Sequence, residues 1–329
     1  MMENTLLQPR LILAPMEGVV DAVMRHQLTR IGGYERCVTE FVRVSQTLLP
    51  KRVFIRYSPE LQTGGRTASG VPVFLQLLGS DPELMAANAE RAARMGAPGI
   101  DLNFGCPAKT VNRSRGGAAL LRSPQLIRSI CERVRDQVPS STPVTAKIRL
   151  GFDSDDRFEE ILDALAAVPL TEVTIHARTR KQGYRPPAHW HLLRKARQQL
   201  PFPVIANGEL WTPADIARCA KVSGCDAFML ARGALCRPDL GAAVQALYSG
   251  LPAPDFGWDD ARAMLIDFLE SNLRLYDTRY AINPVKQWLV YLQVYYPQAA
   301  ALFAQIKRTT DPDTMAAALT GRGPVLSAA

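Results

Sequence analysis

Long apolar runs are missing from this chain of 329 residues. No segment approaches the roughly 18 unbroken apolar residues that a membrane helix requires, so membrane insertion is not expected. The start, MMENTLLQPRLILAPMEGVV, has no basic stretch ahead of a long apolar core, and Pro15 and Glu17 break the apolar run early. A secretory leader is therefore not expected either, and the protein reads as cytoplasmic. The six cysteines (Cys37, Cys106, Cys131, Cys219, Cys225 and Cys236) form no CxxC pair. That removes the usual zinc and dithiol arrangements, leaves reduced thiols, and predicts no metal. Short internal repeats and low-complexity stretches are also absent, as is a GxGxxG after the first apolar segment.

What is present is enough apolar residue, 47%, to build a large core. The length accommodates one α/β domain of roughly 250 residues with a smaller appendage. The net charge of +8 points to a polyanionic partner, and its location sharpens the point. From Ala242 onward there are seven Lys/Arg against eight Asp/Glu, so the excess belongs to the first 241 residues. Within them, His176 to Arg197 carries seven cations and no acid.

Eight short apolar runs recur, at 11–16, 37–44, 71–79, 99–103, 144–150, 172–176, 203–207 and 227–231. Helical patterns separate most of them, for example 82–95 and 124–138, each opened by Asp or Ser before a proline. Strand alternating with helix at this spacing implies a parallel sheet, and eight units close a TIM (β/α)8 barrel. An open doubly wound sheet is the competitor, but APMEGVVD after the first strand lacks its nucleotide fingerprint. After the Pro/Gly-rich linker 251–257 only helices are predicted, over 259–276, 284–296, 297–309 and on to about 319. The expected division is a catalytic barrel over 1–241 and a small helical bundle over 242–329, with 320–329 frayed.

Barrel chemistry sits at the C-terminal ends of the strands. Pro15, Met16 and Glu17, Glu40 and Arg43, Gln76, Asn103 and Cys106, Lys147 and Arg149, His176 and Arg178, Asn207, Gly208 and Glu209, and Arg232 with Gly233 fall there. Taken singly, His176 is more often a bonded core histidine, Lys147 pairs with Asp101 or Glu209, and Cys106 is a structural thiol. Their convergence on one mouth is harder to explain structurally. The loops 206–208 and 231–233 offer small residues and one guanidinium to a mononucleotide phosphate. Flavin mononucleotide (FMN) would then lie across the mouth, near Met16 and Gln76, with its reduced, anionic side toward Lys147.

These residues stand in APMEGV (14–19), TEFVRV (39–44), QLLG (76–79), DLNFGCPAKTV (101–111), KIRLG (147–151), HARTRKQGY (176–184), VIANGEL (204–210), ARGAL (231–235) and VKQWLVYL (285–292). In that order they resemble the tRNA-dihydrouridine synthases, FMN enzymes that reduce a uridine in tRNA. TEFVRV and VKQWL are most similar to the bacterial C-type subfamily, whose target is uridine 16, although Pro284 stands where that subfamily tends to have a basic residue. The resemblance implies that Cys106 donates a proton and that Pro15, Met16, Glu17, Gln76, Lys147, His176, Asn207, Gly208, Glu209, Ala231 and Arg232 hold FMN. It also implies RNA contacts by Arg43, Asn103, Tyr184 and Lys286; the basic loops add Lys109, Arg113 and Arg178. NADPH is the expected reductant, tRNA the expected partner, and a monomer the expected state. Other readings left open are another D-loop uridine, a small-molecule FMN reductase, and a non-catalytic tRNA-binding barrel.

Reduction of the uracil 5,6 double bond needs a hydride at C6 and a proton at C5. An ordinary thiol is mostly protonated at neutral pH, so Cys106 suits the acid role. Lys147 and His176 are expected to supply positive charge beside the reduced flavin. A stacked base could not reach the mouth, so the target nucleotide must be extruded.

Overall fold

A computed structural model describes residues 8–321, apart from the side chain of Arg279. The expected fraying of 320–329 lies almost wholly outside these residues. Nine strands form one closed parallel sheet: β1 (Arg10–Leu13), β2 (Arg36–Val38), β3 (Val42–Arg43), β4 (Val73–Leu78), β5 (Ile100–Asn103), β6 (Val144–Arg149), β7 (Glu172–His176), β8 (Val204–Asn207) and β9 (Ala227–Leu230). Closure comes from β1, which pairs with both β2 and β9. The barrel is the predicted one, with nine strands in eight positions because the second predicted strand is interrupted.

That interruption has a readable cause. Val38 pairs with Phe74 and Val42 with Leu77, so four steps on one strand face three on its neighbour. The extra residue is a β-bulge, which re-aims side chains. Glu40 and Phe41 consequently turn into the mouth.

The strands are short and almost fully buried, as a sheet covered by helices requires. Most of the core lies between sheet and helices, while a small cluster of Ile12, Ala14, Val38, Phe74, Ile205, Ala227 and Met229 fills the barrel itself. The helix Pro82–Arg94 begins as predicted, with the Asp81 carboxylate accepting from Leu84 N at 2.9 Å. Pro124–Gln137 also starts on its proline, but Ser123 makes no side-chain cap.

The helix Leu240–Tyr248 follows the last strand, and the chain then crosses 251–257 without regular structure. Trp258–Leu275, Thr278–Ala281, Asn283–Leu292, Pro297–Ile306 and Pro312–Thr320 complete it. Trp288 anchors these helices: it is fully buried, stands edge-on to Phe268 with centroids 5.1 Å apart, and donates its indole N–H to Leu235 O of the barrel at 3.1 Å. No helix among the described residues is long and apolar enough to cross a membrane.

Candidate active site

A cavity of about 550 Å³ opens at the C-terminal ends of the strands. All eleven residues predicted to hold FMN line it, together with Asn103, Cys106, Arg178 and Tyr184. Alternation along β6 puts Lys147 and Arg149 on one face, two residues apart. Both face inward, and the Lys147 ammonium donates to Asn207 Oδ1 at 3.3 Å. The structural alternative for Lys147, a pairing with Asp101 or Glu209, does not form.

Cys106 sits on the loop after β5. Asn103 Oδ1 accepts from the backbone N–H groups of Gly105 (3.0 Å) and Cys106 (2.9 Å), which bends the chain sharply around the thiol. Gly117 packs against the other side with φ of 58°, and a Cβ there would stand 3.0 Å from Cys106 Cβ. Only glycine suits that combination of backbone angle and close approach. Burial pushes the Cys106 thiol above its ordinary value; the opposing pull comes first from the backbone N–H of Ala108 and then from Arg149 and Lys147, not from Lys109. The thiol is therefore protonated at neutral pH, as a proton donor must be.

The cavity carries more positive charge than it neutralises. Burial and the neighbouring Arg149 hold Lys147 down to about 8. Burial and four surrounding cations hold His176 well below the usual histidine range. His176 Nε2 lies 3.3 Å from Arg178 Nη1, and because an arginine only donates, Nε2 is the acceptor and Nδ1 carries the proton. The expectation that His176 supplies a positive charge is thus corrected: it is neutral and offers an N–H. Gly208, with φ of 112°, lets the chain pass the imidazole, since a Cβ would meet His176 Cδ2 at 2.8 Å.

Arg178, expected to touch RNA, is fully buried instead. It donates to Arg185 O at 2.7 Å, contacts His176, and forms an ion pair with Glu209. Its place is in the cavity wall, where the basic loop folds back. Lys286 is also otherwise engaged, donating to Thr309 O at 2.5 Å. Arg43 reaches Ser114 on the loop that exposes Lys109 and Arg113, and none of the three lines the cavity. Tyr184, 54% exposed, stands at the rim between the guanidiniums of Arg149 (5.4 Å) and Arg232 (5.0 Å).

Several participants escaped the sequence reading. Phe41 enters through the bulge, which no residue pattern announces. Trp211 supports Arg232, 4.7 Å from its ring, and Tyr291 reaches the cavity from the helices after the barrel. Arg149 is different: the sequence places it at the mouth, two residues from Lys147, but assigns it no role. It is buried and donates to Gly105 O (2.8 Å), Thr179 O (3.2 Å) and Gly183 O (3.0 Å), tying the thiol loop to the Tyr184 loop.

Tested on this geometry, a flavin mononucleotide fits: surplus cations suit its phosphate and its reduced ring, and the cavity has the volume of a cofactor site. The chain is 47% identical over 302 residues to a tRNA-dihydrouridine(16) synthase of Aquipseudomonas alcaligenes, covering 92% of this chain and 96% of that one. It is 49% identical to the protein of that description from Pseudomonas putida, covering 92% and 94%, and 48% identical to that from Vibrio cholerae, covering 92% of each. Among solved structures, the old yellow enzyme homologue of Zymomonas mobilis superposes with a TM-score of 0.51 at 14% identity, over 76% of this chain and 91% of that one. A 2-naphthoyl-CoA reductase complex superposes with a TM-score of 0.57 at 12% identity, over 90% and 67%; both likenesses are of fold alone. The family model for dihydrouridine synthase (Dus) matches residues 12–319, and with these relatives it establishes that the chain belongs to the dihydrouridine synthase family.

Proposed function

We propose that this protein is a tRNA-dihydrouridine(16) synthase, which reduces one D-loop uridine of tRNA with FMN and NADPH. The observation that carries the reading is a free, half-buried thiol, Cys106, lining a cation-rich cavity of cofactor size. Bound flavin supplies the hydride for uracil C6. Cys106 gives its proton to C5 from the other face, and burial keeps that proton in place until then. Asn103 directs an amide N–H at the base. Lys147 would supply positive charge to the reduced flavin, and Arg232, propped by Trp211, would hold its phosphate. The neutral His176 contributes its Nδ1–H.

Pro15, Met16, Glu17, Gln76, Gly208, Glu209 and Ala231 complete the cofactor wall, and Arg178 acts with them. The RNA side is assigned to Arg43, Lys109, Arg113 and Tyr184, with Lys286 acting once its carbonyl partner is displaced. Phosphate contacts there give affinity without sequence information, so the helices after the barrel select the uridine. The proposed division, a barrel over 1–241 and RNA-selecting helices over 242–329, cuts just inside the helix Leu240–Tyr248. The enzyme works in the cytoplasm as a monomer.

The test incubates purified protein with FMN, NADPH and unmodified tRNA and maps dihydrouridine along the product. Dihydrouridine at position 16 is expected. A product modified at another uridine removes the position, and unmodified tRNA removes the function.

A further inference from the structure

Behind the thiol loop, three adjacent strands place Gln76, Asp101 and Thr145 side by side, in register, on the inner face of the barrel. Asp101 is buried, which pushes its carboxyl above the ordinary value, and it has no part in the chemistry above. Its two oxygens are nonetheless both engaged. Oδ1 accepts from the Thr145 hydroxyl at 2.5 Å, and Oδ2 accepts from Gln76 Nε2 at 2.7 Å. Gln76 Oε1 in turn accepts from Asn103 Nδ2 at 2.8 Å, and Asn103 Oδ1 accepts from Gly105 N and Cys106 N.

A side-chain amide has a donor end and an acceptor end and can be turned by 180°. Here both ends of the chain of bonds dictate the same direction. At one end a carboxylate oxygen demands an N–H from Gln76. At the other, two backbone N–H groups demand an oxygen from Asn103. The Asn103 side chain is thereby left with one uncommitted polar hydrogen, on Nδ2. That hydrogen matches a pyrimidine carbonyl, whereas a turned amide would present an acceptor suited to an amino group.

We propose that Asp101 is a positioning residue: through Gln76 it fixes the direction of the Asn103 amide, and so holds the Cys106 loop and presents a donor to the target base. The proposal rests on the functional reading above. It concerns hydrogen-bond direction and not the charge of Asp101, and two substitutions separate these. Asp101→Leu keeps the branched shape, at somewhat larger size, and removes the acceptor. Asp101→Asn keeps one, because its carbonyl oxygen faces Gln76 while its N–H2 turns to Thr145, whose hydroxyl proton goes to Ile100 O, 3.4 Å away.

The experiment measures flavin content, tRNA affinity, the single-turnover rate of tRNA reduction, and the rate of Cys106 alkylation by iodoacetamide. The other five cysteines are buried, so the alkylation reports this thiol. Asp101→Leu is expected to retain flavin and tRNA binding, to lose roughly 10- to 100-fold in single-turnover rate through misplacement of the reacting groups, and to alkylate faster. Asp101→Asn is expected to stay within about threefold of wild type on every readout, since its bonds persist. A wild-type rate for Asp101→Leu overturns the proposal, as does a tenfold loss in Asp101→Asn, which would assign the role to charge. Should Asp101→Leu not fold, Asp101→Asn decides by the same criterion. Failure of the functional reading is distinct: the wild type itself would then form no dihydrouridine, while its alkylation rate would still be measurable.

Discussion

The two ends of the barrel treat charge in opposite ways. At the N-terminal ends of the strands, Arg10 bonds Glu35 at 2.7 Å and Glu172 at 2.9 Å, and Arg36 pairs with the same Glu172 while lying 4.7 Å over the Phe74 ring. Each of these four charges has a partner. At the C-terminal ends, Lys147, Arg149 and Arg232 crowd a cavity in which Glu209 is already committed to Arg178. The floor is closed by its own ion pairs, and the mouth is left in need of an anion. A strand register that stabilises one end thus prepares the other to bind, and the cost of the mouth's unpaired charges is offset only when a ligand arrives.

The largest effect that would sharpen this contrast is at the thiol. Cys106→Ala is expected to lower single-turnover dihydrouridine formation by about 10²- to 10⁴-fold while flavin content and tRNA affinity persist. Next comes the floor. Glu172→Ala takes the buried shared carboxylate from Arg10 and Arg36, leaving Glu35 as their one acid, and is expected to lower unfolding stability by about 2–3 kcal/mol, with the turnover of the folded fraction unchanged; urea unfolding and active-site titration check both. Substitution at the mouth should go the other way. Lys147 titrates at about 8, below its unfolded value, so the folded chain binds that proton less tightly. The cost is present below that pH and disappears as pH rises toward the unfolded value. Lys147→Met is therefore expected to stabilise the flavin-free protein at pH 7 by about 1–3 kcal/mol and to abolish the wild-type gain in stability above pH 8. The smallest effect is at Glu17, which partial desolvation and Glu40 push up to about 7. Because its folded value is raised, stability is fullest in acid and declines as pH climbs through about 7. Glu17→Gln should flatten that decline in melting curves; an unchanged slope would assign it to Glu40.

The barrel was legible because parallel strands buried on both faces leave apolar runs at regular spacing, and because proline marks helix starts. The cavity wall was legible for a related reason: strand ends fix which residues reach the mouth, so Lys147, Asn207 and Gln76 could be placed without coordinates. Residues on loops were harder. Arg178 has the composition of an RNA contact, but its loop folds inward, and only the burial of its guanidinium reveals that. His176 could be located but not charged, since its neutrality follows from four cations brought together by distant strands. The bulge that delivers Phe41, and Tyr291 from the helices after the barrel, depend on register and packing that no local pattern encodes.

Calorimetric titration of flavin-free protein with FMN tests the contrast most directly. The account predicts stoichiometric binding that wild type and Glu172→Ala share when folded and that Lys147→Met and Arg232→Met weaken. Absence of binding to the wild type, or affinity indifferent to both mouth substitutions, would contradict it.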